Sequence, residues 1–291
     1  MIPPNESKIM RLFRRLGLRS VAWSLRRLHC PVPKRALVLE VGGGGNPYPR
    51  ANVLCDAYEE TLERHFAPLV HDRPTVLGFA ERLPFRDNAF DFVIAAHVLE
   101  HSRDPERFLA ELQRVAGAGY IETPNALMER ICPYPMHSLE VSVTDDVLEI
   151  RKKSGPVQDR EVAEMAKQKI ADVLPVWIKQ NPDRFHVRYY WARDNGGIKY
   201  KVINSEYEFD WPAPIGRPPA VRNKSFRDLL VGRLRHLFSQ NSRNKKLRLE
   251  ALLLCPSCKK GGIVINGRSV RCQLCGREYY STDKGIIDFT R

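Results

Sequence analysis

The chain has 291 residues, 43% hydrophobic and 28% charged, with 47 Lys and Arg against 34 Asp and Glu for a formal net charge of +13. This balance and length support a folded chain of about two domains and exclude collagen-like repeats and wholesale disorder. No run of about 18 apolar residues is present to span a membrane, and the N-terminus lacks the continuous apolar stretch of a secretion signal. The expectation is therefore a cytoplasmic chain, with its seven Cys reduced rather than paired in disulfides.

The charge is uneven. Residues 1–35 carry nine Lys/Arg and one acid, residues 36–210 have a net charge of −7, residues 211–250 of +8 and residues 251–291 of +4. These limits divide the chain into a basic N-terminal helical segment, a central acidic domain, a basic linker with a helix, and a small C-terminal module. The basic flanks have the charge to meet RNA phosphates or an anionic membrane surface, which would place the chain at the membrane periphery; the alternative is that they are solvated faces.

In chain order, residues 8–28 alternate apolar and arginine positions at roughly helical spacing, weakened at Gly17 and Ser20. Such a helix packs on the domain or lies on a membrane, and packing is the preferred reading. Short apolar runs at 36–41, 52–54, Thr75–Leu77, Phe90–Ala96 and 119–122 read as strands of a covered parallel sheet, with a helix over Pro105–Val115. Residues 139–143 and 147–151 flank Thr144-Asp145-Asp146 as a hairpin. Residues 157–178 read as one helix with Val162, Met165, Ala166, Ile170, Val173 and Leu174 on its apolar face and Pro175 disturbing its end. Residues 189–191 and 200–207 are further strand candidates, the four prolines of 211–219 mark a boundary, and Phe226–Phe238 is a short basic helix.

The first strand runs into Gly42-Gly43-Gly44-Gly45, where missing side chains let backbone N–H groups approach a ligand. Asp56 stands at the end of the second strand, where an acid accepts hydrogen bonds from ribose hydroxyls. Ala80-Glu81-Arg82-Leu83-Pro84-Phe85 follows the third strand, and His97-Val98-Leu99-Glu100-His101 follows the fourth. HxxEH also occurs in zinc peptidases, but there it sits within a helix, whereas here a strand ends directly before His97.

Residues 36–125 resemble a class I S-adenosylmethionine-dependent methyltransferase of the type 11 group, through LEVGGGG, AERLPF, FDFVIAAHVLEH and DPERFLAELQRV in that order. The resemblance implies a Rossmann-like α/β fold with a seven-stranded sheet. It places Glu40, Gly42 and Gly44 at the methionine end of the cofactor and Asp56 on its ribose, and assigns Phe79, Ala80, Glu81 and His97 to the same site. The chain departs from the pattern at three points, the slightest being Gly43 in place of a common Cys. Only 11 positions separate Gly45 from Asp56, and they include Pro47 and Pro49, so the helix after the glycine loop is short or absent. Phe79 stands where many relatives carry an Asp for the adenine amine, so adenine stacks on Phe79 or bonds backbone near Ala80. Some related O-methyltransferases carry a metal near the corresponding Glu-His pair; the simpler reading is that Glu100 and His101 shape the strand end.

Methyl transfer from a sulfonium is chiefly a matter of alignment. A hydroxyl acceptor also needs a base, and His serves near neutral pH. His101 and His137 rank first among the candidates, with His137 following a proline-rich loop beyond the fifth strand. The acceptor is undetermined: a small, glycan or lipid-linked metabolite fits the acidic domain, RNA fits the basic flanks, and a non-enzymatic RNA- or protein-binding scaffold is the competing class.

Cys255-x-x-Cys258 and Cys272-x-x-Cys275 are separated by 13 residues, with glycines after each pair. Four thiolates at this spacing fit a structural Zn2+ site. The segment 251–291 resembles the small zinc-ribbon family whose members activate RNA and protein methyltransferases as partner subunits, which implies a protein-docking role beside a stabilising one. Zinc would supply folding energy that about 40 residues lack on their own.

Overall fold

The structure, a computed structural model, describes residues 6–64, 67–211, 226–260 and 262–291. The proline-rich stretch read as a boundary lies, apart from Trp211, outside the described residues. The chain folds as two compact units that interleave along the sequence. The first is Met1–Pro31, Ala95–Glu106 and Tyr120–Ala213, and the second is Val32–Ile94, Arg107–Gly119 and Pro214–Arg291.

The second unit is built on β1 (Val38–Val41), β2 (Val53–Asp56) and β3 (Thr75–Leu77), which pair in parallel as β3-β2-β1. All four residues of β1 and all four of β2 are buried, as expected of parallel strands covered on both faces. β4 (Phe90–Ala96) and the start of β5 (Ala116–Pro124) continue the order beyond β1, and α3 (Pro105–Val115) lies between them in the chain, burying Phe108, Leu109, Leu112 and Val115. Among the described residues no α-helix lies between the glycine loop and β2, as the short spacing and the two prolines predict, and a 3-10 turn at Leu62–Arg64 follows β2.

The basic stretch after the linker is used structurally. Beyond α7 (Phe226–Phe238), α8 (Asn241–Asn244) brings Asn244 and Gln240 to the buried Asn52 amide at 2.8 and 2.9 Å. Arg243 donates to the Lys34, Arg35 and Ala36 carbonyls, and Arg235 pairs with Asp72. The C-terminal segment then forms β10 (Ile263–Asn266), β11 (Ser269–Cys272), β12 (Glu278–Ser281) and β13 (Ile287–Asp288), antiparallel in sequence. β13 pairs in parallel with β3, so the ribbon continues the sheet at that edge, and the Phe289 N–H donates to the Leu77 carbonyl at 2.9 Å.

In the first unit, α1 (Lys8–Arg15) and α2 (Arg19–Leu25) are two helices rather than one, because Gly17 takes a left-handed φ of 76° between them. The ends of β4 and β5 are joined by β8 (His186–Ala192), which borders β5. β6 (Leu139–Thr144) and β7 (Val147–Lys152) form the expected hairpin. Its turn residues Asp145 and Asp146 have φ of 50° and 63°, the left-handed pair that matches strand twist. The seven-stranded sheet expected from the resemblance is corrected here. Among the described residues the strands are hydrogen-bonded in a ten-stranded order, β10-β11-β12-β13-β3-β2-β1-β4-β5-β8, while β6, β7 and β9 (Tyr200–Ile203) form a separate three-stranded sheet in which β7 and β9 are parallel. The helix expected over 157–178 is also two, α5 (Arg160–Lys169) and α6 (Leu174–Gln180), with Pro175 in the first turn of the second.

Candidate functional site

The glycine loop of the second unit is a backbone device. Gly42 and Gly44 have φ of 70° and 54°, which a side chain would strain. The Gly42 N–H donates to the Cys55 carbonyl at 2.8 Å, tying the loop to β2. The Gly44 N–H points at Asp56 Oδ2, 3.1 Å away. The buried Glu40 carboxylate accepts the Tyr48 N–H at 2.7 Å, holding the return of the loop, and a Cβ on Gly43 would come within 3.3 Å of Glu40 Cδ. Asp56 Oδ1 accepts from Arg64 at 3.1 Å and from the Tyr58 N–H at 3.3 Å. Burial pushes the Asp56 carboxyl above its usual range, with Arg64 pulling the other way. A carboxylate offers about four acceptor positions, so these three donors leave capacity for a ligand hydroxyl. Phe79 is half-buried and meets Tyr58 edge-on at 5.9 Å, a pair of rings at the ends of β2 and β3 where a flat base could stack. Ala80 and Glu81 follow in a 3-10 turn.

The first unit gathers the histidines around buried carboxylates. His97 ends β4 with a left-handed φ of 58°, unusual for a residue with a side chain. Its Nε2 lies 3.2 Å from Glu122 and its Nδ1 3.4 Å from Glu100. Burial alone would lower its pKa, but the two carboxylates push it up to about 9. Glu122, fully buried on β5, accepts two N–H groups of Arg26 at 2.7 and 2.5 Å as well as the Tyr120 hydroxyl. Burial would raise its carboxyl; Arg26 and His97 hold it well below the usual range.

His101 and His137 meet edge-on at 4.6 Å. His137 Nδ1 faces Glu129 at 2.5 Å, and the other Glu129 oxygen takes Lys153 at 3.4 Å, both of these partners being buried. His101 Nδ1 faces the Met136 carbonyl at 3.3 Å. Burial pushes the His101 pKa down to about 4, against the pull of Glu100, so its ring is neutral at physiological pH. Buried Glu100 meets His97 in a long ion pair of 3.4 Å, and Glu100, His101 and His137 bring ligand atoms within 4.8 Å of one another. Two nitrogens and a carboxylate oxygen suit a divalent ion.

The four Cys thiols Cys255, Cys258, Cys272 and Cys275 also lie within 4.8 Å of one another. Cys255–Cys275 and Cys258–Cys272 are each 3.7 Å apart. Bonds of about 2.3 Å in a tetrahedron put sulfurs about 3.8 Å apart, so the set fits zinc. Gly262 and Gly276 provide left-handed turns after each pair, and Lys259, directly after Cys258, is also left-handed. Tyr279 stands 3.2 Å from the Cys255 sulfur.

Glu122, Glu129, Arg26 and Arg64 escaped the sequence reading. Glu122 had a signal, an acid closing an otherwise apolar strand; the others are ordinary charges until folding pairs them.

Residues 43–120 match the family described as a methyltransferase domain. An uncharacterized methyltransferase of Schizosaccharomyces pombe is 38% identical over 78 residues, 26% of this chain and 27% of the relative. Ajmaline N-methyltransferase of Rauvolfia serpentina is 44% identical over 43 residues, 15% of each chain. The aligned region thus spans about a quarter or less of these curated relatives. Among solved structures, a SAM-dependent methyltransferase of Thermotoga maritima is 23% identical with a TM-score of 0.27, covering 40% of this chain and 54% of that one. One of Aquifex aeolicus is 22% identical with a TM-score of 0.28, covering 43% and 75%. The match of residues 43–120 is thus to a methyltransferase domain, and the covered parallel strands β3-β2-β1 are those of a Rossmann-like α/β fold.

Proposed function

We propose that the chain is an S-adenosylmethionine-dependent methyltransferase with a structural zinc ribbon at its C-terminus. The observation that carries the reading is the loop within the matched domain, where left-handed Gly44 turns its N–H onto Asp56 at the end of β2. When bound, the cofactor supplies a sulfonium methyl group, already a strong donor. The chain's own contribution is placement: Gly42 and Gly44 let backbone approach the amino-acid end, Asp56 accepts the ribose hydroxyls, and Phe79 with Tyr58 offers the base a stacking face.

On the acceptor side, His137 is the proposed base. Buried Glu129 holds its Nδ1, which directs the other ring nitrogen outward to take a proton from an acceptor hydroxyl. His101, neutral at working pH, borders it. A second arrangement of the same residues is that Glu100, His101 and His137 would hold a divalent ion, which would polarise an acceptor oxygen in place of a base at His137. The acceptor class favoured is a small, glycan or lipid-linked metabolite. The thiol set is closed by four cysteines, which supports a structural zinc rather than a catalytic one.

Calorimetric titration with S-adenosylmethionine and S-adenosylhomocysteine tests the reading. Asp56→Ala removes a charged acceptor worth about 1.5–3 kcal/mol, or roughly 10- to 150-fold in affinity. Binding that survives Asp56→Ala unchanged would remove Asp56 from the cofactor site, and no binding by the parent chain would move the reading to a non-enzymatic scaffold or to an enzyme that needs a partner subunit.

A further inference from the structure

The N-terminal helices were expected to bury their apolar positions, and they do not. On α1 and α2 only Met10 and Ala22 are buried, while Ile9, Leu12, Leu16, Leu18 and Val21 are 38–63% exposed. The cations of the same segment divide in two. Arg14 is tied to Glu6 and Asp183, and Arg26 to Glu122, so these two fasten the segment to the unit. Lys8, Arg11, Arg15 and Arg19 are exposed. Glu6 is the sole acid in residues 1–35, and Arg14 takes it. α2 lies against α6, which presents Val173 and Val176 and a Trp177 ring that is 48% exposed, with exposed Lys179 beside them.

We propose that this face of the first unit, α1 and α2 with the exposed side of α6, docks on an anionic lipid bilayer. The inference is independent of the methyl-transfer reading. No described helix is long and apolar enough to cross a membrane, so the mode is interfacial. Its side chains match the two layers of such an interface: leucines and isoleucine for the acyl boundary, and lysine and arginines for the headgroups. Trp177 is the residue type that anchors at that depth. Charge complementarity selects this occupant over a second copy of the chain, because an isologous pair would bring two sets of the same unneutralised cations together. Each Lys or Arg near an anionic surface raises binding about fivefold, so these cations together predict a preference for anionic over neutral vesicles on the order of a thousandfold.

The test is cosedimentation of the full chain with vesicles of phosphatidylcholine alone and of phosphatidylcholine mixed with phosphatidylglycerol, with sedimentation equilibrium in their absence. The expected result is binding to the mixed vesicles, weakened by salt, with a blue shift in fluorescence that Trp177→Phe diminishes. Leu12→Glu with Leu16→Glu should abolish binding and leave the circular dichroism and unfolding midpoint unchanged, since both side chains are already more than half exposed. Arg11→Glu with Arg15→Glu should weaken binding by at least tenfold. Equal binding to neutral and anionic vesicles, no binding to either, or binding that both variant pairs leave intact would overturn the proposal. A dimer that Leu12→Glu dissociates would overturn it too, by assigning the face to a second copy.

Discussion

Glu122→Gln is the substitution with the most to say about how the first unit is held together. In the parent chain its carboxylate is completely buried and takes two N–H groups from Arg26, which is itself only 8% exposed and stacks over the Trp23 ring at 3.8 Å. Gln keeps the shape and one acceptor oxygen but removes the charge, so Arg26 becomes a buried cation without its partner. Breaking such a pair from one side costs about 3–5 kcal/mol. The retained acceptor places the expected loss near about 3 kcal/mol, a large share of the roughly 5–15 kcal/mol that stabilises a typical fold. All four tryptophans, Trp23, Trp177, Trp191 and Trp211, fall in the first unit, so tryptophan fluorescence during urea unfolding at pH 7 reads that unit selectively. With a denaturant slope of about 3 kcal/mol/M, the midpoint should fall by about 1 M.

Two further measurements separate this argument from a generic loss of packing. Arg26→Met combined with Glu122→Gln removes the stranded charge, so the double variant should recover at least about 2 kcal/mol relative to the sum of the single ones. The pH dependence has a fixed sign. Glu122 has a folded pKa well below that of an unfolded glutamate, about 4.3, so its contribution is present above that value and is lost as pH falls through the folded one. The parent chain should therefore lose stability on acidification more steeply than Glu122→Gln. A single-variant cost under about 1 kcal/mol, or strict additivity in the double variant, would refute the claim that this pair is a coupled buried unit.

His97 tests the same cluster from the other side. Its pKa is raised to about 9, so the stability it contributes is fully present below about 6.5 and is lost as pH rises through about 9. The unfolding midpoint read by tryptophan should decline over that alkaline range, and His97→Gln should flatten the decline; an unchanged slope would assign it to another group. In the ribbon, elemental analysis should find about one zinc per chain, lost in Cys258→Ser. Without zinc, amide exchange should accelerate over β10 to β13 and at the Phe289 N–H that reaches Leu77. Full protection in a zinc-free chain would end the structural-zinc reading.

Local signals carried the parts of the fold that depend on local causes. The apolar runs Thr75–Leu77 and Phe90–Ala96 and the helix Pro105–Val115 are found at their expected limits, because each buries nearly every apolar side chain it has and each is bounded by turn residues. The clustering of Cys255, Cys258, Cys272 and Cys275 was legible for a similar reason, since two closely spaced Cys pairs bring their thiols together. Periodicity misled where a single residue broke it. Gly17 splits the first helix, and Pro175, read as disturbing the end of a helix, instead begins one because its fixed φ suits a first turn. With that break, Ala166 and Leu174 turn inward but Met165 and Val173 do not. Apolar spacing alone reports that a face exists, not that protein covers it.

What the sequence could not carry is pairing at a distance. Arg26 and Glu122 are 96 positions apart, and β13 is two residues long, so neither the buried ion pair nor the ribbon's hold on β3 leaves a pattern in the chain. The consequence for the site is specific. HxxEH is legible as a cluster of chemistry-bearing residues, yet what each histidine can do is set by carboxylates brought from elsewhere. Glu122 and Glu100 raise the pKa of His97, so it is protonated at neutral pH, while burial keeps His101 neutral despite Glu100. Glu129 orients His137. Three histidines equivalent by composition thus become a cation, a neutral ring and an aligned base candidate. The division follows from burial and from the carboxylates that each ring meets.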